Sequence, residues 1–370
     1  MPATVIITRR SGAKAPSRTN RAIRALPIVA LALLMARAVL MAETSGPLIE
    51  RMHERSRFEF RDASAALTRR FYGVTLIDEL FSPITAAFAL LQFGVDSSAY
   101  WQSLVFLTDF AGIYAILLLE SSRGMYRATV FRYPILLTFF AQIIPVGLLG
   151  PIYYFALSVL APLNQLLDSP DIGRLDPAVV AAVLPTVFLA YYLPHFGSYW
   201  STSLEDRHWW NWIWQLYGVW GSLLLLLLAR SGLAGFLLPS TRSTDYLRIS
   251  VGTFAAVGTL THWYAALNAD APLLEALVPK YLLRNPQDGM VALRTIVQYD
   301  YVCSFGAVYC WLGYQYQDLK AAGRTRLSWA RIGTVAVVST AICGPGSALL
   351  LGWYTRERIL RTGRTATKVD

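Results

Sequence analysis

Asp109 lies midway along the apolar run Trp101–Leu119. From Phe71 to Ser122 the chain holds Asp78, Glu79, Asp96, Asp109 and Glu120 but no Lys or Arg. A carboxyl kept from water and from cations favours its neutral form. Such a group can donate a proton near neutral pH. It is also expensive: a carboxylate at the centre of a helix in hydrocarbon costs about 2.5–3.5 kcal/mol on insertion scales. Asp300, in Gln298-Tyr299-Asp300-Tyr301, and His262, in Thr261-His262-Trp263-Tyr264, are two more titratable residues inside apolar runs. Either could take a proton back. Asp109, Asp300 and His262 are therefore the candidate catalytic residues. A structural alternative stands beside each: a hydrogen bond to a neighbouring helix for Asp109 and Asp300, and simple packing for His262.

Asp78 and Glu79 open their apolar run. They face either a bound molecule or the N-terminus of a helix, whose dipole favours acids. Glu120, beside Arg123, reads as half of an ion pair at a helix end.

The aromatic load is the second clue, with 11 Trp, 20 Tyr and 17 Phe. It is densest at His195-Phe196-Gly197-Ser198-Tyr199-Trp200 and at His208-Trp209-Trp210-Asn211-Trp212-Ile213-Trp214-Gln215-Leu216-Tyr217. On a helix, Trp210, Trp214 and Tyr217 share one face, and Trp209 and Trp212 another. One face suits an interfacial belt. The other can look inward, where each ring stabilises positive charge by about 0.5–2 kcal/mol. Asp78, Glu79, Tyr114, Trp210, Trp214, Tyr217, Trp263 and Tyr301 form the candidate substrate-binding set, suited to a hydrophobic small molecule.

Several constellations are missing from the sequence. Cys303, Cys310 and Cys343 form no CxxC pair and no zinc spacing. The histidines His53, His195, His208 and His262 give no HxxxxD and no HExxH. Neither a glycine-rich phosphate loop nor a GxSxG elbow occurs. The segment Asn164–Asp171 is the one place where acids approach a diphosphate-type magnesium cluster; Pro170 interrupts it and no second cluster faces it. These residues call for no metal and no cofactor.

The elements that must position these groups follow from composition. The chain has 370 residues, 55% hydrophobic and 15% charged, and a net charge of +10. A soluble domain carries about 25% charged residues, and a span needs about 20 apolar ones. The expected fold is all-α, a polytopic membrane bundle of about eight transmembrane helices. The spans fall near 74–93, 101–119, 133–160, 178–194, 211–229, 249–267, 296–316 and 332–353. Pro145 and Pro151 should bend the third.

Before the bundle (71–355) come residues 1–70, with an apolar segment over 26–42 interrupted by Arg37. After it come the basic residues 356–370. If 26–42 lies in the interface rather than crossing, most basic residues collect on one side, as the positive-inside rule requires. The expected location is then a multi-pass membrane protein, of the endoplasmic reticulum, with cytosolic termini. The basic residues are scattered over loops, so the charge points to an anionic bilayer and not to nucleic acid.

With its Leu193-Pro194-His195-Phe196 entry, its Arg207-His208-Trp209-Trp210-Asn211-Trp212 block and its acids in apolar runs, the sequence resembles fungal membrane-bound terpene cyclases of the ascofuranone/ascochlorin type over roughly 70–355. The resemblance implies an enzyme of secondary metabolism that cyclises the epoxidised prenyl chain of a meroterpenoid without a metal. In that reading Asp109 donates the proton, aromatic faces shelter the cation, and Asp300 or His262 removes the last proton. The alternative is a polytopic transporter or receptor that uses the same polar groups to bind a solute.

Overall fold

A computed structural model describes residues 16–55, 57–60, 63–161, 173–231, 243–282 and 284–365. The Asn164–Asp171 segment lies outside the described residues. The chain is built almost wholly from helices. Helices α1 (Arg18–Arg24), α2 (Leu26–Val39) and α3 (Ala42–Glu54) lead into a hairpin of β1 (Arg57–Phe60) and β2 (Ala63–Ala66), paired antiparallel with Phe58 opposite Ala65. Then follow α4 (Thr75–Gln92), α5 (Ser97–Ser121), α6 (Pro134–Ile143) and α7 (Val146–Leu160). Next come α8 (Pro177–Trp200), α9 (Leu204–Gln215) and α10 (Tyr217–Ser231). The last elements are α11 (Ser243–Asn268), α12 (Leu273–Leu277), α13 (Gly289–Ala321), α14 (Trp329–Cys343) and α15 (Pro345–Thr365).

Helix α5 is the axis of the bundle. From Gln102 to Ser121 every residue is buried, so it has no solvent face and no amphipathic stripe. Asp96 caps it by accepting the Ala99 N–H at 2.7 Å, and pairs with Arg294 of α13 at 2.8 Å. The cap thus fixes the height of α5 against its neighbour. Helix α2 packs between α7 and α13, and its Arg37 donates to Asn285 at 3.2 Å.

The expectation of about eight spans is overturned. Among the described residues, α5 and α8 are long and apolar enough to cross a membrane, and up to four spans result if each of two bent pairs counts as one. The bent pairs are α1 with α2 (50°) and α9 with α10 (63°). The reason is local chemistry that breaks the apolar runs. The 133–160 run splits at Ile144–Pro145, because the residue before proline is pushed to extended backbone. The 211–229 run breaks at Leu216. The 332–353 run turns at Gly344, whose φ of +82° suits glycine. Helix α13 is 33 residues long but carries Arg294, Gln298, Asp300, Gln315, Gln317 and Asp318 along its length.

Candidate functional site

Asp109 is buried where α5, α11, α13 and the start of α15 meet. The Tyr301 hydroxyl donates to its Oδ2 at 2.8 Å. Glycines let the helices come this close: a Cβ on Gly346 would sit 2.6 Å from the Asp109 Cβ, and one on Gly258 3.2 Å from Oδ1. Ser347 donates to the Ala255 carbonyl at 2.9 Å in the same knot. Asp109 is therefore sealed into a helix crossing. It accepts a hydrogen bond from a neighbouring helix, α13.

Asp300, one residue before Tyr301, faces elsewhere. It is half-buried, and the Gly147 N–H at the start of α7 donates to its Oδ1. Gly147 has no room for a side chain, since a Cβ there would lie 2.8 Å from the Asp300 backbone. Desolvation by the surrounding helices pushes the Asp300 carboxyl up to about 7, against the pull of the Gly147 N–H. Of the two aspartates it is the one with an edge still exposed.

His262 is half-buried on α11, with its ring against Gly344, and burial lowers its basicity. Trp263 is exposed and donates to the Ile342 carbonyl at 2.8 Å. The three candidate catalytic residues thus address three different places: Tyr301 for Asp109, Gly147 for Asp300, and Gly344 for His262.

The candidate binding residues divide as sharply. Tyr114, Tyr191, Trp214 and Tyr217 are all buried and pack edge-to-face or tilted, with ring centroids 4.7–5.9 Å apart. Edge contacts of this kind are the favoured aromatic geometry. Trp210 does not join the cluster; the ring is half-buried on Gly197 of α8. Asp78 accepts the backbone N–H groups of Phe71 at 3.0 Å, Tyr72 at 2.8 Å and Gly73 at 3.1 Å. Burial opposes its charge, but those N–H groups win and hold the carboxyl below its ordinary range. Glu79 points outward and is exposed.

The blocks rich in His and Trp knit helices together. His195 shares a 2.8 Å hydrogen bond with Thr108 of α5, and Asn211 donates to the Thr85 carbonyl at 2.9 Å. Trp212 donates to the Thr68 carbonyl at 3.0 Å.

Sequence reasoning found the Glu120–Arg123 pair but missed the buried four-residue ion cluster around it. Arg123 holds Glu120 through two bonds of 2.8 Å and Glu357 at 2.7 Å; Arg356 reaches Glu120 at 2.6 Å. Trp353 adds an N–H to Glu120 at 2.7 Å. All four charged residues are at most 3% exposed. The pair expected at a helix end is in fact enclosed by α15, whose Arg356-Glu357 dipeptide, read as the start of a basic tail, was the available signal. Among the described residues no group of three His, Cys, Asp or Glu side chains is placed to hold a metal.

The chain is 25% identical over 355 residues to the FAD-dependent monooxygenase verC1 of Penicillium polonicum, 93% of this chain and 43% of that protein. It is 28% identical to the FAD-dependent monooxygenase anuJ of Penicillium roqueforti (strain FM164), over 82% of this chain and 38% of that protein. It is 26% identical to the FAD-dependent monooxygenase BOA8 of Botryotinia fuckeliana (strain B05.10), over 75% of this chain and 35% of that protein. The chain spans less than half the length of these curated relatives. Their names overturn the expectation of a terpene cyclase, and equally that of a transporter or receptor.

A dinucleotide such as FAD is ordinarily held by a parallel sheet whose first strand turns through glycines into a helix, with the pyrophosphate at the helix N-terminus. Among the described residues the sheet is the antiparallel hairpin β1–β2, two strands of four residues each, and the turn from β2 into α4 holds the single glycine Gly73. The described residues do not fit FAD.

No solved structure matches the chain. The model of the CtvD domain family matches residues 23–361, which takes in every helix that builds the two aspartate sites. The chain belongs to the CtvD domain family.

Proposed function

We propose that the chain acts in the flavin-dependent oxygenation of a hydrophobic small molecule in fungal secondary metabolism, with Asp300 moving a proton at its site. One observation carries the reading: between 75% and 93% of the chain aligns with proteins named FAD-dependent monooxygenases, from fungi. The interior is aromatic, with Tyr114, Tyr191, Trp214 and Tyr217 buried against one another, which suits an apolar substrate. A carboxyl that titrates near neutrality and keeps an exposed edge is suited to give or take a proton there. Asp109, sealed and bonded by Tyr301, holds the helices that frame the site.

The test is genetic and chemical. In a fungal host that makes the oxygenated metabolite, loss of this chain should leave the product one oxygen short. Asp300→Asn should reduce product while the protein accumulates normally. Oxygenation that proceeds unchanged without the chain overturns the reading.

A further inference from the structure

Resting on that reading, we infer that the described residues contribute no flavin site, and that the flavin is carried by a dinucleotide-binding flavoprotein region outside them. Three independent observations point there. The first is the fold: the described residues offer an antiparallel hairpin and helices in place of the parallel sheet that cradles a dinucleotide. The second is local. A pyrophosphate is held by successive backbone N–H groups at a helix entrance. Such a nest exists ahead of α4, at Phe71, Tyr72 and Gly73, but the chain's own Asp78 carboxylate fills it. An incoming phosphate would meet a negative charge where it needs N–H donors. The third is coverage: more than half of each monooxygenase relative lies outside the match, so those proteins have length to spare for a flavin-binding region that this alignment does not touch.

The experiment measures flavin content. The purified full chain and the full-length Penicillium polonicum relative are each incubated with excess FAD, passed through gel filtration, and read for flavin per protein by absorbance. FAD fluorescence on titration with the chain is a second readout. The expected result is about one flavin on the relative, far less than one on the chain, and no saturable quenching. One flavin retained per chain overturns the inference and leaves the oxygenation reading in place. A relative that also retains none removes the flavoprotein from both, and overturns the oxygenation reading with it.

Discussion

Tyr301 donates its hydroxyl to Asp109 at 2.8 Å, while the adjacent Asp300 turns to the Gly147 N–H on a different face of α13. Successive helical residues diverge by about 100°. One helix therefore separates a sealed acid from one that keeps an exposed edge. Removing the donor tests the sealed side. Tyr301→Phe keeps the ring that packs on Phe106 and Phe305 but leaves Asp109 without that hydroxyl. An unsatisfied buried acceptor costs about 1–3 kcal/mol. Thermal denaturation should show a lower midpoint with no loss of helix content; an unchanged midpoint would show that the bond contributes nothing.

Close helix approach at the same crossing makes a second prediction. Gly346→Ala forces a methyl to within 2.6 Å of Asp109. Overpacking of this kind costs about 1–3 kcal/mol. Gly313→Ala is the comparison, because nothing lies within 4 Å of its added Cβ. In a helix interior that change should be neutral or stabilise by up to about 1 kcal/mol. Chemical denaturation of both variants decides it, and equal effects would mean the crossing has slack.

The buried cluster supplies the third. Breaking a buried ion pair from one side strands the other charge and costs about 3–5 kcal/mol. Arg123→Met should therefore be a damaging change, because it removes the cation shared by Glu120 and Glu357 and leaves them to Arg356 and Arg361. Burial disfavours the Glu357 carboxylate, but Arg123 and Arg356 outweigh it and depress its titration below the ordinary 4.5. A depressed carboxyl stabilises the fold above its unfolded value, and that stability fades as pH falls through the folded one. The stability gap between the wild type and Glu357→Gln should be constant at neutral pH and shrink below about pH 4.5. A gap that widens on acidification would contradict the geometry.

Much of the helical architecture was legible because apolar runs and proline punctuation are local signals. Asp109 and Asp300 stand out in the sequence as acids in apolar runs; the structure buries the first and half-buries the second. Three things lay beyond the sequence. Whether a run stays one helix was decided by short breaks at Leu216, Pro145 and Gly344, and a hydropathy window averages over those. Facing was not readable: nothing in Asp300-Tyr301 says that the tyrosine, rather than an arginine, would reach Asp109 from 192 positions away. The third was long-range pairing. Arg356 and Glu357 read as a solvated tail, yet they close over Glu120 and Arg123 from the far end of the chain. The aromatic face drawn through Trp210, Trp214 and Tyr217 failed for the first reason, since the helix ends at Gln215 and only the latter two turn into the core.

Asp300 gives the sharpest pH test. Its carboxyl titrates near 7 in the folded chain, against an ordinary 3.8. Between those values the folded state binds more protons than the unfolded one, so stability falls as pH rises across the window and is level above it. Asp300→Asn cannot ionise and lacks this slope. Its stability relative to the wild type should climb from about pH 4 to about pH 7 and then hold, on top of a constant offset from the altered bond to Gly147. Activity should report the same group from the other side. If Asp300 moves the proton, the wild-type rate bends near neutral pH and the residual rate of Asp300→Asn does not. A stability difference that stays flat across the window shows that the carboxyl is already ionised. In that case the proton-moving role must pass to another residue.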